Sequence, residues 1–269
     1  MRYYSSFNLI LLLLSSLVLI FLIAPLIGMF LHTSTTGLIE TIKERDVQES
    51  IWLTVWVSFS TTFIFAIISV PFAWLLARKD FPLKNLVQGV IDLPVVLPHT
   101  AAGIAILGFI SRDGFLGKVA SSAGISFVNN PAGIALAMAF VSLPFLINAA
   151  RDGFMSVPEK LEKAALNLGA GRLRVFMTIS LPLAWRSIIS GFVMMFARGM
   201  SEFGAVVIVA YHPMVAPVLI YDRFSSFGLN YARPAAVIFI IVALVAFTGL
   251  RLLSNRKKVT YSESDYADS

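Results

Sequence analysis

The chain has 269 residues, 58% of them hydrophobic and 13% charged, with a net charge of +6 and a mean hydropathy of +0.83. Soluble domains carry about 25% charged residues, so this composition leaves too little polar surface to cover a core, and the bilayer is its natural solvent. The absence of cysteine excludes disulfides, thiolate metal sites and thiol catalysis, and in a membrane chain the positive balance belongs to cytoplasmic loops rather than to nucleic acid.

In chain order, apolar stretches at 8–31, 51–77, 86–110, 132–150, 187–210 and 234–253 each approach the ~20 residues that cross the hydrocarbon. They are continuous rather than alternating, which predicts helices and an all-α membrane protein with a transmembrane domain over 1–254. The first run is too long for a signal-peptide core and no small-x-small site follows it, so it is expected to stay as a span. The segment 32–50 is a polar outer loop of net acidic character. Arg78, Lys79 and Lys84 then begin a cytoplasmic basic set that continues with Arg151, Lys160, Lys163, Arg172, Arg174, Arg186 and Arg251. Outer segments hold fewer cations, which predicts a multi-pass cell-membrane protein with both termini cytoplasmic. Pro94 and Pro98 interrupt the third span and predict a kink there.

The fourth span ends at "NAARDGF", and 151–182 is set apart from the greasy runs. Ser156 and Glu159 have capping-box spacing, with Pro158 in the first turn. Leu161, Ala165 and Leu168 recur at helical spacing, and Ala164 keeps the neighbouring surface low. Gly169 suits the left-handed position that ends a helix. A second helical piece starts at "RLRVFMTISLP", with Leu181-Pro182 marking re-entry into the membrane. Physical reasoning alone leaves two uses open, a helix lying on lipid head groups and a docking site for a soluble partner. In the fifth span Arg198 and Glu202 stand four apart, deep in the hydrocarbon, where ionisable groups seldom face lipid. They serve either as a salt bridge holding the bundle or as part of a polar path. His32 and His212 are far apart in outer segments and offer no metal site. Segment 211–233 is a second long outer loop. The tail 255–269 is polar and acidic and is expected to be disordered.

The spacing Ala164-Ala165-x3-Gly169-x9-Ile179-x-Leu181-Pro182 resembles the "EAA" loop of ABC importer permeases. The runs "DLPVVLPHTAAGIAIL" (92–107) and "FARGMSEFGAVVIVAYHPMVAPVLIYDRF" (196–224) resemble the molybdate/tungstate branch, to which sulfate permeases are close. The resemblance implies a type I permease fold of six transmembrane helices. It also implies a coupling helix, received by a groove on an ATPase subunit, that involves Glu162, Lys163, Ala164, Ala165, Gly169, Arg172, Leu181 and Pro182. One departure is that Lys163 stands where the family has its acidic residue, with Glu162 just before it. A homodimer with two ATP-binding-cassette ATPase subunits and an external substrate-binding protein is implied, with ATP and Mg on the partner ATPase and no cofactor on this chain. Pro98, His99, Thr100, Arg198, Ser201 and Glu202 are candidates for the translocation pathway or its gate. The sequence lacks G-x-x-x-x-G-K-[ST]; "DGFLGKV" (113–119) has Gly-Lys without the Ser/Thr. No Ser/His/Asp arrangement points to an enzyme. The competing expectations are an ion-coupled carrier or channel that works alone, a membrane scaffold or sensor without transport, and sulfate as the substrate.

Overall fold

The computed structural model describes residues 6–122 and 124–255, and the acidic tail therefore lies almost wholly outside the described residues. Helices follow one another as α1 (Ser6–Leu31), α2 (Thr35–Lys43), α3 (Arg45–Arg78), α4 (Lys84–Val96), α5 (His99–Ile110), α6 (Phe115–Ser122), α7 (Pro131–Ser156), α8 (Glu159–Asn167) and α9 (Arg172–Val175). A π-helical turn at Phe176–Ser180 leads into α10 (Leu181–Met200), and α11 (Gly204–Val209), α12 (Ala216–Phe227) and α13 (Leu229–Asn255) complete the chain.

Helices α1, α3, α7 and α13, together with the run Arg172–Met200, are long and apolar enough to cross a membrane. The third predicted span is not one rod. Helices α4 and α5 meet at 114°. Leu97 (ψ 139°) and Pro98 (ψ 132°) are both extended, because Pro98 brings no N–H and its ring pushes the preceding residue out of helical geometry. The bent pair still carries the chain across. Arg78, at the end of α3, bonds to Val157 just past the end of α7, while Ser58, well back along α3, bonds to Met138 in the first half of α7. Helices α3 and α7 therefore run parallel, and the segment joining them must return from one end of the bundle to the other. Asn148, in the second half of α7, donates to Asp92 of α4 at 2.6 Å, while α5 packs with Ile134 and Met138 in its first half.

Other expected boundaries also move. The two segments expected as outer loops are largely helical, containing α2, the start of α3, and α12. Buried Arg223 of α12 ties them together through ion pairs to Glu44 and Asp46 and a cation–π contact with Tyr231. The fifth span begins at Arg172 rather than 187. It stops at Met200, and α11 is a separate short helix after a three-residue break, Ser201–Phe203.

The bundle packs on α7, whose neighbours are α3 and the antiparallel α10. Small residues let the backbones approach without hydrophobic driving force between helices. On α3 the buried hydroxyls of Thr54 and Thr62 are satisfied by carbonyls one turn back. Along the α7–α10 seam a Cβ added at Gly191 would lie 2.8 Å from Ala149 Cβ and 3.2 Å from the Leu146 backbone. Gly191→Val is therefore expected to lose about 1–3 kcal/mol through overpacking, read as an earlier tryptophan-fluorescence melt in detergent. Helix α1 is apolar on all sides, exposed along its length, and packs lightly against α13.

Candidate functional site

Helix α8 hangs beneath the bundle at the common end of α3 and α7, and its two faces have opposite character. Leu161, Ala164, Ala165 and Leu168 form one face; Leu161 and Ala164 are exposed and Leu168 is 89% exposed. Half a turn away, Glu159, Glu162, Lys163 and Leu166 look toward α3 and α9. Glu162 is buried. Arg78 Nε donates to both of its carboxylate oxygens at 3.0 and 2.9 Å, and Arg78 Nη2 donates to Glu162 Oε1 at 2.9 Å and to the Val157 carbonyl at 2.8 Å. Ser180 Oγ donates to Glu162 Oε1 at 2.7 Å. Burial pushes the Glu162 carboxyl up, but the bonds from Arg78 and Ser180 outweigh it and hold the group below its ordinary 4.5. The depressed folded-state value means that the clamp contributes fully above pH 4.5 and is lost as pH falls through the lowered value. Lys163 instead pairs with Glu159 at 2.8 Å on the surface, where such pairs are worth little.

The expected capping box does not form. Helix α7 runs on through Ser156, whose hydroxyl donates to the Gly153 carbonyl at 2.7 Å, and Pro158 occupies the cap position of α8 with no side-chain bond. The far end is as expected. Gly169 has φ +87°, the Gly169 N–H bonds to the Leu166 carbonyl, and the Ala170 N–H bonds to the Ala165 carbonyl. This double closure needs a left-handed residue, which glycine adopts without a Cβ clash. Arg172 opens α9 and is exposed. Leu181 and Pro182 lie inside a continuous helical run and do not interrupt it. The π turn just before Pro182, closed by the Leu181 N–H on the Phe176 carbonyl, absorbs the bond that proline cannot make.

A second polar cluster sits level with the middle of α7, beside Ser142 and Met138. Glu202 lies in the break after α10 and is 1% exposed. Arg198 Nη2 is 2.8 Å from Glu202 Oε2 and 2.9 and 3.0 Å from the two ring nitrogens of His99. His99 Nδ1 is itself 3.2 Å from Glu202 Oε2, and the Ala205 N–H donates to Glu202 Oε1 at 2.9 Å. Ser201 Oγ donates to the Arg198 carbonyl at 3.1 Å. Pro98 and Thr100 are exposed beside the cluster, and Thr100 makes no side-chain hydrogen bond among the described residues. The runs "LPHTAAG" and "SEFGA" are thus brought face to face. A Cβ on Gly204 would lie 2.6 Å from His99 Cβ, and one on Gly103 would lie 2.9 Å from the Ala205 backbone. Glu202 is neutralised locally, while His99, half exposed, and Arg198 keep an accessible edge.

The two groups of expected site residues are therefore separate, about 22 Å apart along α7, and one continuous helix reaches both. Ser180 near its base touches Glu162, and Arg198 near its end touches Glu202. Arg78 was missed as a site residue. The signal was available in helical phase, since Glu162 lies off the centre of the Leu161–Ala164–Leu168 stripe and on the same side as Glu159 and Leu166, so that once buried it needs a cation from the bundle.

The family model for the binding-protein-dependent transport system inner membrane component matches residues 69–259. The chain is 42% identical over 246 residues to the molybdate/tungstate transport system permease protein WtpB of Thermococcus kodakarensis, covering 91% of this chain and 94% of the relative. It is 36% identical over 202 residues to the molybdenum transport system permease protein ModB of Haemophilus influenzae, covering 73% and 88%. A chain of the solved bacterial ABC transporter involved in import of the acidic polysaccharide alginate superposes with a TM-score of 0.73 at 18% identity, covering 93% of this chain and 96% of that one. At that identity the likeness speaks for the fold alone, which is the all-helical one expected.

Proposed function

The chain belongs to the family of binding-protein-dependent transport system inner membrane components, and from that premise we propose that it is the membrane-spanning subunit of an ATP-driven importer of tetrahedral oxyanions, molybdate or tungstate. The substrate follows the relatives named for those anions. It works with a separate ATP-hydrolysing subunit and an external substrate-binding protein, as the family's name implies for the latter. It is a transport subunit rather than an enzyme. We further infer a homodimer with two ATPase subunits, and termini on the cytoplasmic side, supported by the basic residues gathered at the α8 end.

One observation carries the energy-coupling half of this reading: α8 is clamped on one face and bare on the other. Glu162 faces the bundle, so the free surface for an ATPase groove is Leu161, Ala164, Ala165 and Leu168. Force applied there passes through the Arg78–Glu162–Ser180 contact into α3 and the base of α10. ATP binding must favour one orientation of the bundle through differential contacts, since equal affinity for two states shifts neither. The ion cluster at mid-height lies on the path by this reading. Glu202 is held by Arg198 and the Ala205 N–H, leaving Arg198, His99, Ser201 and Thr100 to meet a passing dianion briefly. Selection belongs to the binding protein.

The test uses two glycines. Neither Gly169 nor Gly171 has an atom within 4 Å of an added Cβ, but only Gly169 has positive φ. Gly169→Val is expected to strain the cap by about 1–2 kcal/mol or more and to uncouple ATP hydrolysis from the loaded binding protein in the reconstituted complex, with molybdate uptake falling in step. Gly171→Val is expected to behave like the parent. Full coupling in Gly169→Val would sink the proposal, as would molybdate uptake into vesicles by this chain alone.

A further inference from the structure

Behind α8, on the side away from its bare face, lies a groove of about 690 Å³ between the end of α3, α8 and α9. Its walls are Trp74, Leu75, Leu166, Leu173 and Phe176, and its mouth carries Lys79 and Arg172. Two of its cations are already matched, since Arg78 pairs with Glu162 and Lys163 with Glu159. Lys79 and Arg172 have no ion-pair partner among the described residues, so the mouth holds two uncompensated positive charges over an apolar floor. The floor continues along the membrane face of α3. Ile64, Ile67, Ile68, Pro71 and Leu75 share one exposed helical stripe that runs from mid-span into the groove.

We propose that this groove binds one anionic phospholipid from the leaflet on the α8 side, its phosphate between Lys79 and Arg172 and one acyl chain along Leu75, Pro71 and Ile68. An apolar stripe ending at paired cations, at the level where a span leaves the hydrocarbon, matches a lipid in both polarity and position. The free phosphate ion would use only the mouth and leave the apolar walls wet. A bound lipid would fill the space between α3 and α9 and brace α8 from behind, so that headgroup charge acts on the same segment that receives the ATPase. The proposal rests on the chain's place in a membrane, not on its transport reaction, so binding is measured without substrate or ATP.

The experiment is tryptophan quenching in detergent micelles on a variant that keeps only Trp74 (Trp52→Phe, Trp56→Phe, Trp185→Phe). Brominated phosphatidylglycerol is expected to quench Trp74 saturably. Brominated phosphatidylcholine is expected to need far higher amounts. Each cation removed is expected to raise the half-saturating lipid about fivefold, so Lys79→Gln with Arg172→Gln together raise it about twenty-fivefold. Native mass spectrometry of the unaltered chain is expected to retain one phosphatidylglycerol and no phosphatidylcholine, which removes dependence on any variant's folding. Equal quenching by the two lipids, an unchanged curve in the double variant, or release of the lipid by millimolar inorganic phosphate would overturn the proposal. So would loss of quenching when chains dimerise, which would place a second copy in the groove.

Discussion

Arg78→Met is expected to destabilise the chain by about 3–5 kcal/mol, because it strips the principal counter-charge from a mostly buried carboxylate. Arg78 and Glu162 side chains are 8% and 10% exposed, and in the variant Ser180 still donates to the carboxylate. The Val157 carbonyl, at the turn between α7 and α8, loses its guanidinium as well. Helix α8 should therefore come away from the bundle while α3, α7 and α10 stay packed. Two measurements check this: the midpoint of thermal unfolding, and the stimulation of ATP hydrolysis by loaded binding protein in the assembled complex, which should vanish. Arg78→Lys should fall between variant and parent, since an ammonium cannot bridge both carboxylate oxygens and Val157 in the same planar fork. Arg78→Met with Glu162→Leu should regain most of the stability, because replacing a buried pair with apolar groups is often neutral. A single variant that melts within about 1 kcal/mol of the parent would remove the clamp from the account.

The second large effect is expected at Arg198→Met. Glu202 would then sit 1% exposed at mid-membrane with the Ala205 N–H and His99 as its remaining partners. An unpaired charge at that depth should cost about 3–5 kcal/mol in stability, and molybdate uptake should fall by at least about tenfold, the equivalent of 1.4 kcal/mol on the transport barrier. The double variant Arg198→Met with Glu202→Leu separates the two roles left open by the sequence. If the charges only hold the bundle, stability and uptake return together. If the guanidinium meets the anion in passage, stability returns and uptake does not. The proposal of a pathway at this cluster survives only the second outcome. Non-additivity is itself expected, since the two side chains touch.

The sequence made much of this visible, and its omissions have physical causes. Gly169 could be read directly, because few residues other than glycine end a helix left-handed at so little cost. Arg198 and Glu202 could be paired by their spacing, although the helix ends between them and Glu202 is held in a break rather than on a turn. His99 could not be added to that pair, since it lies 99 residues from Arg198 and only the packing of Gly103 and Gly204 brings it close. Pro98 foretold a kink with Leu97 extended before it, but the 114° bend also needs the extended ψ of Pro98 itself, and that depends on what α4 and α5 each pack against. Ser156 misled because a capping sequence competes with one more turn of α7, and the turn won. Glu162 was placed on the docking surface because its neighbour occupies the familiar acidic position; its helical phase puts it on the other side.

The Arg78–Glu162 contact spans 84 residues of chain, which has a bearing on synthesis. At about 5–20 residues per second, roughly 4–17 s separate the two ends as they leave the ribosome. During that interval Arg78 has been made and Glu162 has not. The long side chain can reach the aqueous boundary meanwhile, where it is expected to help set the direction of α3. The same guanidinium is thus expected to serve twice in the life of the molecule, first as a stop for insertion and then, once α7 has entered, as the latch that registers the finished bundle.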